Sequence, residues 1–110
     1  MLPNGKRAFV AIEKLRLYAL NINHNVGGDK ARVFRSALGL TEADAERLRD
    51  VLLTVAGESD EVEIGEIDEY GQRYTIDFQM LANRKSAIVR SGWIILHHED
   101  FPRLTTCYVL

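Results

Sequence analysis

Two hydrophobic rhythms divide the chain. Up to about Gly57, apolar residues recur at helical spacing, and from Val62 onward they alternate with polar ones. Ala8-Phe9-Val10-Ala11-Ile12 is short and apolar and reads as extended. From Glu13 to about Leu20, the residues Leu15, Tyr18 and Ala19 follow the i, i+3, i+4 rule that puts side chains on one helical face. Asn21 to Gly28, with three asparagines and two adjacent glycines, favours a loop. Asp29 is suited to cap a second helix, whose stripe is Ala31, Phe34 and Leu38, and Gly39 suits its left-handed end. Thr41 is suited to cap a third helix, with Asp44 at the reciprocal position of a capping box. Within that helix Leu48, Val51, Leu52 and Val55 repeat at i, i+3, i+4, i+7, and Gly57 ends it.

The second rhythm predicts strands. Val62 and Ile64 alternate with Glu61 and Glu63, while Tyr74, Ile76, Phe78 and Met80 alternate with Arg73, Thr75, Asp77 and Gln79. Turns are expected at Asp68–Gly71, Ala82–Lys85 and His97–Asp100. Ser86–Leu96 reads as a long third strand around Trp93, and Leu104–Leu110 as a last strand, poor in charge and so expected inside the sheet or covered. The predicted fold is a two-layer α+β domain over residues 1–110, N-terminal helices packed on a four-stranded antiparallel meander. Its expected core is Leu15, Phe34, Leu38, Leu48, Leu52, Val55, Ile64, Ile76, Phe78, Val89, Trp93, Ile95 and Val109. The parity with which the long strand meets the helices stays open.

Composition narrows the class. A chain of 110 residues, 46% hydrophobic and 27% charged, excludes a disordered chain, a fibre and a second domain. No window approaches the ~18 apolar residues of a membrane span, so no membrane partner is expected. Cys107 is the only cysteine, which excludes an intrachain disulfide and a Cys-rich zinc site. The basic N-terminus lacks an apolar run followed by a cleavage site; with the single thiol, this sets a cytoplasmic expectation.

The formal charge of −2 hides an asymmetry: residues 1–40 carry +5, residues 41–70 carry −9 and residues 71–110 carry +2. The middle third repels a polyanion, and the two ends attract one if they share a face. Charged exteriors of helices and hairpins account for the same numbers without a ligand.

The segment His24 to Arg35 holds the densest candidate chemistry. It sets a histidine in a loop beside Gly27 and Gly28, then Lys30 and Arg32 in the first turns of a helix, with Arg35 beyond. Early helix N–H groups suit an anion, cationic side chains strengthen that, and His24 can move a proton near neutral pH. Cleaving a phosphodiester needs a base for the 2′-hydroxyl, an acid for the leaving oxygen and cations for the developing charge. The purely structural alternative is that the glycines permit the turn, Asp29 caps, and Lys30 and Arg32 face solvent. The Gly-x-x-x-x-Gly-Lys-Ser/Thr spacing of a P-loop is absent, and no cofactor is expected. His97 and His98 are strand-end neighbours pointing to opposite faces, so a polar turn and no metal is the reading there. Arg90, Thr105 and Thr106 are polar residues in otherwise apolar strands. Arg90 could line a substrate face or pair with Asp77 across the sheet. Cys107 reads as a small buried hydrophobe.

Two stretches carry a family resemblance. One runs from Leu20 through His24, Gly27-Gly28-Asp29-Lys30-Ala31-Arg32-Val33-Phe34-Arg35 and Ala37-Leu38 to Gly39. The other is Ser91-Gly92-Trp93-Ile94 followed by Pro102 to Leu110. Over about Lys14–Leu110 the chain resembles an uncharacterised bacterial family of unknown function, found as short proteins and as C-terminal modules of adhesin-like polymorphic toxins. By topology that family looks like the small ribonucleases and ribonuclease toxins of the barnase, colicin and RelE-like kind. The resemblance implies metal-independent RNA cleavage. His24, Lys30 and Thr106 would be catalytic, with Arg32, Arg35, Arg90 and Thr105 on phosphate. The positions that match the family are His24, Lys30, Arg32, Phe34, Trp93, Thr105 and Thr106, while Arg35 and Arg90 join the expected site from the chain's own basic and polar pattern. Asn25 stands where many related sequences have proline, a change to loop stiffness.

The leading expectation is therefore a small ribonuclease-like toxin module, with RNA as substrate and a cognate antitoxin or immunity protein as partner. A homodimer through the sheet is also compatible with the apolar end of the chain. A different class stays open, a non-catalytic immunity or regulatory domain docking through the acidic residues 58–69, and so does an orphan domain whose polar loop is structural.

Overall fold

The computed structural model describes all residues, Met1–Leu110. A 3₁₀ turn, Gly5–Arg7, precedes a single helical turn α1, Ile12–Lys14, which widens into a π-type turn, Leu15–Ala19. Helix α2 spans Gly28–Leu38, and a 3₁₀ turn at Glu42–Asp44 leads into α3, Ala45–Glu58. Four strands follow: β1 Val62–Ile67, β2 Gly71–Ala82, β3 Lys85–Leu96 and β4 Arg103–Val109. They form one antiparallel sheet in the order β1-β2-β3-β4. This is the expected α+β architecture, helices first and meander second.

Local chemistry explains most boundaries. The Thr41 N–H donates to Asp44 Oδ2 at 2.9 Å, within the capping box expected there. Gly39 ends α2 at φ +67, a left-handed conformation that costs glycine little. Asn83, in the β2–β3 turn, donates its side-chain amide to the Leu38 carbonyl at 2.8 Å and so seals the same helix end. The start of α2 differs from expectation. Asp29 lies inside the first turn, paired with Arg32, rather than at the cap. The amides of Val26 and Gly27, just before the helix, are held by His24 instead. The stretch expected as one regular helix from Glu13 is broken at Leu15 into the wider π-type turn, which buries Leu15 and Ala19 and leaves Tyr18 exposed.

Register settles the open parity. Val89, Ser91 and Trp93 of β3 face the helices, as do Ile76 and Met80 of β2 and Cys107 of β4. Asp77, Arg90, Thr106 and Tyr108 take the outer face by alternation, since Asp77 pairs with Arg90, Arg90 with Tyr108 and Gly92 with Thr106. A bulge leaves Thr105 as the extra residue of β4, where Trp93 pairs with Leu104 but Gly92 pairs with Thr106.

Of the expected core, Leu15, Phe34, Leu38, Leu48, Leu52, Ile76, Val89 and Trp93 are buried. Val55, Phe78, Ile95 and Val109 are half-buried, and Ile64 is exposed. Ile64 falls outside because β1 packs substantially on β2 alone, with no helix laid over it. The N-terminal segment supplies core not foreseen, Leu2 and Val10. Phe9 bridges in parallel to Arg103, its N–H donating to Pro102 and its carbonyl accepting from Leu104. The last strand is thus a sheet edge rather than an interior strand, covered by this segment at its start and by α2 on its inner face. No helix is long and apolar enough to cross a membrane.

Candidate functional site

Six of the seven predicted residues fall into three neighbouring places. The first is a polar recess of about 410 Å³ lined by residues that include Asn23, His24, Gly28, Asp29 and Arg32. His24 Nδ1 accepts the N–H groups of Val26 and Gly27, each at 3.0 Å. Nδ1 is therefore the acceptor nitrogen, the ring proton sits on Nε2, and Nε2 lies on the side of the ring away from these amides. Arg32 is anchored to Asp29 at 2.6 Å and to the Ile22 carbonyl. A helix N-terminus opens on the same recess through Gly28.

The second place is a larger cleft of about 590 Å³ between the α1 region and the free edge of β4. Its polar lining is Glu13, Lys14, Tyr18, Thr105 and Thr106, over an apolar floor that includes Leu15, Ala19 and Leu104. Tyr18 joins the two places: its ring lies 4.4 Å from the His24 ring, tilted by 59°. Gly27 makes the approach possible, because a Cβ there would come within 2.9 Å of the Tyr18 ring.

The third place is on β4 and β3. Lys30 leaves the recess and sets its ammonium 4.3 Å from the centroid of the Tyr108 ring, a cation–π contact. Arg90 donates to both carboxylate oxygens of Asp77 at 2.8 Å, the cross-strand pairing that the sequence left as one alternative. The hydrogen bonds that Arg90 donates to Asp77, and then the Tyr108 oxygen, hold its guanidinium more firmly protonated, while Arg90 in turn holds the Asp77 carboxyl below its usual range. Lys30 and Arg90 thus flank Tyr108, bringing a cation from each basic end of the sequence to one residue. Tyr108 lies two residues from Thr106 on the same face of β4, so the third place adjoins the second.

Arg35 lies in the last turn of α2, exposed and away from all three. His97 contacts the Asp68 carbonyl through Nε2 at 2.7 Å, tying two turns together. No group of three or more His, Cys, Asp or Glu side chains is gathered as for a metal ion. Cys107 is buried, and desolvation pushes its thiol up to about 12. Glu13, Lys14 and Tyr18 are the residues sequence reasoning missed; Glu13 and Lys14 come from the short turn α1, and Tyr18 from the π-type turn that follows it.

Residues 1–110 match a family model described as a domain of unknown function (DUF6883). No curated protein matches the chain. Among solved structures, a chain of a contact-dependent growth inhibition toxin–immunity protein complex from Klebsiella pneumoniae 342 superposes with a TM-score of 0.69 at 13% identity, over 92% of this chain and 98% of that one. At that identity the likeness is one of fold.

Proposed function

We propose that this chain, which belongs to the DUF6883 family, is a ribonuclease-like toxin module that cleaves RNA phosphodiesters with its own side chains and is neutralised by an immunity-type protein. The observation that carries the reading is the contact of Tyr18 with His24, which merges the recess and the β4 cleft into one surface. Along that surface stand a carboxylate, an imidazole, two hydroxyls and several cations, the groups such a reaction uses. The fold likeness to a chain of a toxin–immunity complex supports the toxin setting.

In this reading the 2′-hydroxyl of the substrate attacks phosphorus and gives its proton to the Glu13 carboxylate. The bond from phosphorus to the 5′ oxygen breaks, and that oxygen takes a proton from water. The products are a 2′,3′-cyclic phosphate and a free 5′-hydroxyl. His24 donates from Nε2–H to a non-bridging oxygen, with Thr105 and Thr106 as further donors. Lys14 and Arg32 offset the growing charge. Lys30 and Arg90, on either side of Tyr108, hold a neighbouring phosphate, and Tyr18 offers a ring face to a base.

The test is incubation of the protein with total RNA in excess chelator beside His24→Ala and Glu13→Gln, each checked for folding by circular dichroism. Cleavage by the wild-type chain with cyclic-phosphate ends, lost in both variants, is expected. Intact RNA with all three folded proteins, or undiminished cleavage by both variants, overturns the reading.

A further inference from the structure

β1 is an edge strand, hydrogen-bonded to β2 on one side only. Its two faces differ in character. Ile64 pairs with Tyr74 and Ile67 with Gln72, and directly paired residues share a face. Gln72 and Tyr74 lie on the same side of β2, so the bulge between Ile64 and Ile67 re-phases the strand and puts both isoleucines on one face. They are 77% and 69% exposed. The opposite face carries Glu63, which pairs with Thr75, and Glu61 precedes it by one alternation. None of the six ion pairs uses these carboxylates: Asp29, Glu46, Asp68, Asp77, Glu99 and Asp100 each have an arginine, whereas Glu61, Glu63 and Glu66 have none. The Asp77–Arg90 pair lies beside Glu61 and Glu63 on the outer face, with its arginine already bound to Asp77. The edge therefore offers free backbone groups, an apolar face and an uncompensated acidic face, side by side.

We propose that the β1 edge is a docking site for a strand of a protein partner in which apolar and basic residues alternate. Backbone hydrogen bonds would extend the sheet by one strand. The period of two sends the partner's apolar side chains onto Ile64 and Ile67 and its Lys or Arg side chains onto Glu61 and Glu63. The same carboxylates decide against the rival occupants. A second copy pairing through β1 would set glutamates opposite glutamates, which is destabilising. A nucleic acid would meet an excess of carboxylates, Asp60, Glu61, Glu63 and Asp77 against Arg90. The site lies on the opposite sheet edge from the β4 cleft and does not depend on the nuclease reading.

The test uses fluorescently labelled, end-blocked peptides of about eight residues, the length of an ordinary strand. One alternates valine and lysine, one has the same composition in blocks, one alternates valine and glutamate, and one alternates valine and lysine with a central proline. Anisotropy at low salt is expected to show the alternating lysine peptide binding about tenfold or more tighter than the others, weakening as salt rises. Glu61→Lys with Glu63→Lys is expected to remove most of that preference, and amide exchange to slow at residues 62–67. The thermal midpoint of the double variant shows that it remains folded. Equal binding of the block or proline peptide, no binding of any peptide, unchanged binding by the folded double variant, or protection at β4 instead of β1 overturns the proposal. So does a dimer in sedimentation that Ile64→Lys dissociates, which would assign the edge to a second copy. RNA cleavage is read on the wild-type chain and peptide binding on the β1 variants, so either reading can fail alone.

Discussion

Trp93 and Ser91, two residues apart on β3 and both fully buried, are joined by a hydrogen bond: the indole N–H donates to Ser91 Oγ at 2.9 Å. Ser91 Oγ in turn donates to the Ile76 carbonyl on β2 at 2.9 Å. The single polar side chain among the buried residues thus satisfies the one polar atom of the largest. Ser91→Ala strands the indole N–H in an apolar core, and a loss of about 1–3 kcal/mol is expected. Urea unfolding followed by fluorescence reads it directly, since Trp93 is the only tryptophan. A loss below about 0.5 kcal/mol would show that the indole has found another acceptor.

Asp68 predicts an acid-labile turn. Its carboxylate accepts from Arg73 Nε at 2.7 Å and from the amides of Tyr70 and Gly71. These bonds, Arg73 first, lower its pKa from 3.8 to about 2. Because the folded value is depressed, the stabilisation is full above the ordinary carboxylate range and disappears as pH falls toward about 2. Asp68→Asn keeps an oxygen for the two amides and loses the charge. The wild type is expected to be the more stable above pH about 5, with the gap closing as the medium is acidified. A gap that stays constant with pH would assign the effect to the turn amides alone.

Alternation and helical spacing speak for the element that carries them, and only indirectly for what lies above it. The stripe of Leu48 and Leu52 on α3 and the alternation around Ile76 on β2 were readable because both face the common core. Ile64 obeys the same alternation and is exposed, since nothing in β1 itself records that no helix covers that end of the sheet. The candidate site shows the same divide. That His24 sits in a loop before a helix follows from its neighbours. That its Nδ1 is occupied by two amides, and that Lys30 reaches Tyr108 some eighty positions later, depends on how the loop and β4 pack. Tyr18 was hidden for another reason: the π-type turn adds a residue to the repeat and rotates it out of the apolar stripe.

The seal between α2 and the β2–β3 turn gives a backbone prediction. A Cβ on Gly39 would stand 2.9 Å from the Asn83 amide nitrogen, in a left-handed conformation that already disfavours alanine. Gly39→Ala is expected to cost about 1–2 kcal/mol from backbone strain, and more if Asn83 is displaced from the Leu38 carbonyl. Combining it with Asn83→Ala measures the coupling. Simple additivity would show that the two residues act independently.

Cys107 should be silent toward thiol reagents. It is buried on the inner face of β4, and burial pushes its pKa up to about 12, so little thiolate forms at neutral pH. In native buffer near pH 8, alkylation by iodoacetamide is expected to be slower by orders of magnitude than for a free thiol, and to become fast in urea. Rapid stoichiometric labelling of the native protein would mean that the β4 edge opens readily.

His24 has two separable roles, and paired substitutions distinguish them. As an acceptor, Nδ1 holds the Val26 and Gly27 amides and shapes the entry to α2. Losing such an acceptor costs about 0.5–2 kcal/mol. As a donor, Nε2–H is the group assigned to the phosphate. His24→Ala removes both. His24→Asn restores a short side-chain oxygen able to accept from amides two and three residues ahead, the geometry of an Asx turn, but supplies no imidazole. The asparagine variant is therefore expected to recover much of the stability lost in the alanine variant, measured by thermal unfolding, while remaining as inactive toward RNA. If activity returned with stability, the imidazole would be a scaffold for the loop, and the phosphate donor would have to be sought among Thr105, Thr106 and Lys14.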